Sequence, residues 1–150
     1  MVGVTRMPGK RRPAELPAAI ARDGWQYHHL GIPQMEPRRG EQHLHDLGVH
    51  VRGFETSPYG IEWMRFEPQC QVPEIVKTVP HVAFVVDDLD EALKGKSILI
   101  APTAPSRGVR VAFILDDGAP VELLEFDRSA PRRVKTNSAT GHRAAPDRRR

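Results

Sequence analysis

"PHVAFVVDDLDEALKG", residues 80–95, decides how this chain is read. Residues 80–88 are mostly β-branched or aromatic and predict a strand. Then the period changes. In "DDLDEALKG" (87–95) aspartates stand at the start, Leu89, Ala92 and Leu93 share one helical face, and Gly95 supplies the stop, so a short helix follows the strand. Three more strand-like runs come after it. "SILIAP" (97–102) ends at proline, "GVRVAFILDDG" (108–118) closes on an Asp-Gly hairpin signal, and "PVELLEF" (120–126) is the last. The order is β-α-β-β-β.

Residues 25–67 repeat that order less completely. "WQYHHLGIP" (25–33) reads as a strand. "GEQHLHDLG" (40–48) reads as a short helix, with Leu44 and Leu47 spaced i, i+3 and Gly48 as its stop. "VHVRGFET" (49–56) and "GIEWMRFE" (60–67) are further strands. One strand of the four is missing or squeezed into "SPY". The halves align at both ends: "HHLGI" matches "PHVAF", and "IEWMRF" matches "VELLEF". The fold class expected is therefore α+β, with two βαβββ units, the first shortened, in a domain spanning 25–127. Unit one covers about 25–67 and unit two about 80–127.

Charge is spread unevenly. Residues 25–128 hold ten basic and sixteen acidic groups, whereas 129–150 hold seven basic groups and one acid. The pI near 9.3 thus belongs to the ends of the chain. Residues 1–24 and 128–150 are expected to be disordered basic extensions. A basic tail can bind phosphate non-specifically, but nothing predicts a specific nucleic-acid partner. The single cysteine, Cys70, excludes an intrachain disulfide and suits a reducing compartment. No apolar run approaches the ~20 residues that cross a bilayer. The chain reads as cytoplasmic, with no membrane partner.

Four residues stand in matching places of the repeat. His29 and His81 lie on the first strand of each unit, and Glu62 and Glu122 on the last. Alternation puts His81 on one face with Ala83 and Val85, and Val82, Phe84 and Val86 on the other, where the helix can cover them. His29 shares its face with Gly31. A single histidine in a strand is ordinarily a hydrogen-bonded core residue, and a single glutamate ordinarily faces water, as expected of Glu67 and Glu125. Recurrence in register lifts these four above that. A carboxylate buried alone is costly and needs a partner. Two imidazoles and two carboxylates converging on one divalent metal ion (Zn, Ni, Mn, Co or Fe) would supply it.

Two βαβββ units with a His on each first strand and a Glu on each last strand resemble the vicinal oxygen chelate superfamily, over about residues 25–127. "HHLGI" offers His29, "GIEWMRF" offers Glu62, "PHVAFVVDDL" offers His81 and "PVELLEF" offers Glu122. The resemblance implies curled half-barrel units enclosing one divalent metal. The His-Glu-His-Glu set is most similar to glyoxalase I, whereas the epimerases of the superfamily carry Gln at the place of Glu62. It implies a metal-dependent lyase or isomerase, glyoxalase-like, moving a proton on a small oxygenated substrate. Glu122 or Glu62 would be the base, with Glu122 favoured. The chain departs from glyoxalase I after "HHLGIP", where "QMEPRRG" replaces an acidic helix start, and it has no recognisable glutathione-binding residues. The alternatives are an extradiol-type dioxygenase, which also resembles this fold but uses two His and one Glu, and a non-catalytic binding or resistance protein. Arg52 and Arg110 lie mid-strand and are candidates for holding an anionic substrate. His43 and His45 cannot share a helix face at i, i+2, and His50 has no evident partner. A homodimer is expected, because a short first unit leaves sheet edges to cover.

Overall fold

The computed structural model describes residues 15–128. Expectations for residues 1–14 and 129–150 lie outside the described residues. Between them, eight strands form one curled mixed sheet in the order β2-β3-β4-β1-β5-β8-β7-β6. Unit one supplies β1 (Gln26–Pro33), β2 (Gln42–Leu44), β3 (Val49–Arg52) and β4 (Ile61–Phe66). Unit two supplies β5 (His81–Val85), β6 (Ser97–Ser106), β7 (Val109–Asp116) and β8 (Ala119–Phe126). The order reads the same from either edge once the units are exchanged. The two first strands, β1 and β5, meet antiparallel at the centre, and each is flanked by the last strand of its own unit in parallel.

Unit two follows its sequence pattern closely. Helix α3 (Leu89–Leu93) begins where Asp88 accepts a hydrogen bond from the Glu91 amide at 3.0 Å. Its first free amide, on Leu89, donates to Glu125 Oε2 at 2.6 Å, so Glu125 caps the helix from β8 instead of facing water alone. Leu89 and Leu93 turn onto Phe84, Val86, Ala112, Ile114 and Leu123, which form the main core. The larger side chains of β5 therefore lie under the helix, as alternation required. The β7–β8 hairpin closes through Asp117 and Gly118, both at positive φ (48° and 81°), the backbone that a two-residue Asp-Gly loop favours.

Three expectations change. Residues 42–47 are not a helix: they form β2 and a 3-10 turn (His45–Leu47), and Leu44 and Leu47 are 39% and 44% exposed, so their helical spacing marks no buried face. Unit one thus has all four strands and lacks the crossover helix instead. Strand β6 does not stop at Pro102 but runs on through Pro105. It is an edge strand with three register shifts, where a missing amide donor is tolerated. Order also begins before Trp25. Helix α1 (Ala18–Ala21) sets Ile20 on the core, and Trp25 packs its ring 5.8 Å from Phe84. A further short helix, α2 (Glu74–Thr78), bridges the units and buries Val76.

Candidate metal centre

Strand register brings the four matched residues onto one face. Across the sheet, Glu122 pairs with Ala83, Ala83 with His29, and Gly31 with both His81 and Glu62. The small residues at the crossing points, Ala83 and Gly31, leave room for the large ones. A Cβ built on Gly31 would lie 2.0 Å from the His81 ring, so the imidazole occupies the space over that glycine. His29 and His81 are buried, at 4% and 1% exposure. All four residues meet within a single chain.

Three donor atoms converge. Glu122 Oε2 lies 3.2 Å from His29 Nε2 and 3.0 Å from His81 Nε2, and the two nitrogens are 3.3 Å apart. At metal–ligand distances of about 2.1 Å, two donors stand roughly 3.0 Å apart at a right angle and roughly 3.4 Å apart at a tetrahedral angle. The triangle falls within that span, so His29, His81 and Glu122 could hold a divalent ion. Glu62 stands back from the triangle, with Oε2 3.8 Å from His29 Nε2.

The electrostatics separate the two glutamates. Burial alone would push the Glu122 carboxyl up, but hydrogen bonds from His29 and His81 outweigh it and bring its pKa down to about 2. Burial also raises Glu62, and there it wins: the attraction of His29 opposes it, and the Glu122 charge adds to it. His29 is raised. Burial would lower it, but its hydrogen bond and charge interaction with Glu122 prevail.

A bulge in β1 adds a residue that the sequence pattern does not show. The β1–β5 register slips between Tyr27 and His29, which re-aims His28 toward its neighbour. The Nδ1 atoms of His28 and His29 lie 2.8 Å apart. With Nε2 of His29 turned to the triangle, its Nδ1 is the atom that meets His28, an outer contact of the kind that orients a ligating imidazole. His28 in turn stacks on Phe54, centroids 4.8 Å apart. The doublet "HH" was the visible signal. The bulge that makes both histidines useful leaves no trace in spacing.

Neither arginine joins the donor triangle, and only Arg52 borders the cavity beside Glu62. Arg110 lies on the helix-bearing face, held to Asp90 at 3.0 Å and Glu125 at 3.3 Å. That is the face opposite Glu122, because Arg110 pairs with Glu125 across the hairpin. Arg52 borders a cavity of about 370 Å³ that Arg39, Val51, Phe54 and Glu62 also line. Its guanidinium, however, sits 4.4 Å over the Trp63 ring and donates to Gln34. Of the four matched residues, only Glu62 lines that cavity.

No family model matches this sequence, and no curated protein does. Solved structures do. The hypothetical protein BH1468 from Bacillus halodurans C-125 superposes with a TM-score of 0.53 and 18% identity, covering 71% of this chain and 98% of that one. Methylmalonyl-CoA epimerase from Mycobacterium tuberculosis gives 0.47 and 18%, over 67% of this chain and 87% of the other. At such identities the likeness is one of fold. With two four-stranded halves paired in one curled mixed sheet, the second with its crossover helix and the first without, the chain has the vicinal oxygen chelate fold. Among the described residues no helix is long and apolar enough to cross a membrane.

Proposed function

We propose that the chain is a metal-dependent enzyme that moves a proton on a small substrate bearing two neighbouring oxygens, with His29, His81 and Glu122 as ligands and Glu62 as the base. One observation carries this: three donors lie within 3.3 Å of one another while the fourth residue, Glu62, keeps its carboxylate 3.8 Å from His29 and lines a cavity. A divalent cation held there would supply Lewis-acid polarisation of a substrate oxygen. Glu62 takes the proton from the adjacent carbon. Burial opposes its charged form, and it lines the cavity in which a substrate would sit. Glu122 is unsuited to that task, because two imidazoles hold its charged form. This reverses the preference that resemblance alone suggested. Phe54 and Val51 give the cavity an apolar side.

The test is deuterium exchange in D2O, followed by proton NMR, across a panel of small α-hydroxycarbonyl and α-dicarbonyl compounds. Metal-dependent exchange at the carbon beside the carbonyl, abolished in Glu62→Gln with metal retained, is the expected result. Exchange that survives Glu62→Gln would sink the assignment of the base.

A second reading has its own observation. Two histidines and one carboxylate are also the facial set of non-haem iron oxygenases. It requires Fe(II) loading and oxygen uptake with a catechol, and neither would depend on Glu62 as a base. A non-catalytic binding protein of this fold would show neither exchange nor oxygen uptake.

A further inference from the structure

Three histidines outside the site above are brought together by the stretch that is strand and turn instead of helix. His43 and His45 lie with ring centroids 3.7 Å apart. His43 pairs with His50 across β2 and β3, and those rings stack in parallel at 4.1 Å. Glu67, just past β4, turns Oε1 to both: 3.0 Å from His43 Nε2 and 3.4 Å from His50 Nε2. Its other oxygen accepts from Gln69 at 2.8 Å, which holds the carboxylate in place. By alternation along β4, Glu67 lies on the opposite face from Glu62.

One atom here is out of balance. His43 Nε2 is buried and makes no hydrogen bond, although Glu67 Oε1 is near. A buried ring nitrogen beside a carboxylate, without an aligned hydrogen bond, is an unfavourable arrangement. A cation would use both the nitrogen lone pair and the carboxylate charge. The donors Nε2, Nε2 and Oε1 are close enough to share one. The parallel rings must open slightly to do so. The side chains of His43 and His50 are 27% and 20% exposed, and Nε2 of His43 has no hydrogen bond to lose.

We propose that His43, His50 and Glu67 form a second divalent-cation site that clips β2 and β3 to the end of β4. Two imidazoles and a carboxylate select a borderline transition-metal ion such as Zn²⁺, Ni²⁺, Co²⁺ or Cu²⁺ over Ca²⁺ or Mg²⁺. Its place gives it a purpose. Strand β2 has three residues, stands at the sheet edge, and belongs to the unit without a crossover helix. An ion bound to the folded edge and not to the unfolded chain would stabilise it by mass action. The site shares no residue with the first and stands whether or not that one holds metal.

The experiment titrates Zn²⁺ alone into the full, tag-free chain carrying His81→Ala and Glu122→Ala, by calorimetry with a parallel melt. One equivalent bound per chain, with a rise in Tm, is expected. Adding His43→Ala and Glu67→Gln should weaken the binding at least tenfold and remove the Tm rise. Equal binding with and without those two changes would overturn the proposal. The same comparison in the otherwise wild-type chain guards against a misfolded multiple variant: His43→Ala with Glu67→Gln should lower the Zn²⁺ stoichiometry by one. If the wild-type chain binds a single equivalent that is indifferent to His81→Ala but lost with His43→Ala and Glu67→Gln, this site stands and the first reading falls.

Discussion

Unit one and unit two share a topology and differ in what holds them together. Among the described residues, ten of the thirteen buried hydrophobic residues belong to unit two, from Ala83 to Leu124. Unit one itself contributes Val49, and Cys70 and Val76 sit in the connection. Unit two closes its crossover with a helix packed on the sheet. Unit one spans the same place with residues 34–41, pinned by a polar knot in which Glu41 takes Arg65 Nη2 at 2.6 Å and the Arg38 amide at 3.0 Å. The unit with less apolar packing also lines the cavity and carries Glu62. Unit two supplies two of the three converging donors, His81 and Glu122, and unit one supplies His29 and the outlying Glu62 carboxylate.

The largest effect should come from truncating the scaffold. Leu123 is fully buried among Phe84, Leu89 and Ala112, so Leu123→Ala should cost about 2–5 kcal/mol, read as a fall in the urea midpoint. Val51→Ala in unit one, at a partly exposed site, should cost well below that. Equal losses would erase the distinction between the halves. Next comes the seam. In Gly31→Ala the new methyl meets the His81 ring, which should destabilise the fold by about 1–3 kcal/mol and displace the imidazole, weakening metal uptake at the first site. Full metal retention in Gly31→Ala would mean that the ring has another place to go. Smaller still is the cap: Asp88→Ala removes the bond to the Glu91 amide and should cost about 1 kcal/mol, with no counterpart in unit one.

The polar knot gives a pH signature. The Arg65 hydrogen bond holds the Glu41 carboxyl at about 2, below its ordinary 4.5. A depressed folded-state pKa means stability that is whole above 4.5 and is lost as pH falls from there toward 2. The stability gap between wild type and Arg65→Met, measured with a chelator present, should therefore shrink as pH drops through that window. A gap that is flat from pH 6 to pH 3 would show that the pair is not what pins the loop.

Much of this was legible, for reasons that differ between the halves. In unit two, β-branched strands, the Asp start of α3 and the Asp-Gly turn are local signals that agree with the packing, and residues 87–95 and 108–126 fold as they read. In unit one, Leu44 and Leu47 imitate a helical face that does not exist, because a three-residue edge strand and a 3-10 turn expose both. That misreading also hid the neighbours of His43. The four matched residues were visible through recurrence in register. Their division into three converging donors and one outlying carboxylate was not, since it depends on Gly31 and Ala83 at the crossing points and on the bulge beside His28.

The central claim is that Glu122 holds the cation and Glu62 does not. The direct measurement is divalent metal per chain, by elemental analysis, in a chain whose His43 and Glu67 have been replaced so that only the first site counts. The account predicts about one equivalent, kept in Glu62→Gln and lost in Glu122→Gln. No metal in the parent chain, or loss in Glu62→Gln with retention in Glu122→Gln, would contradict it.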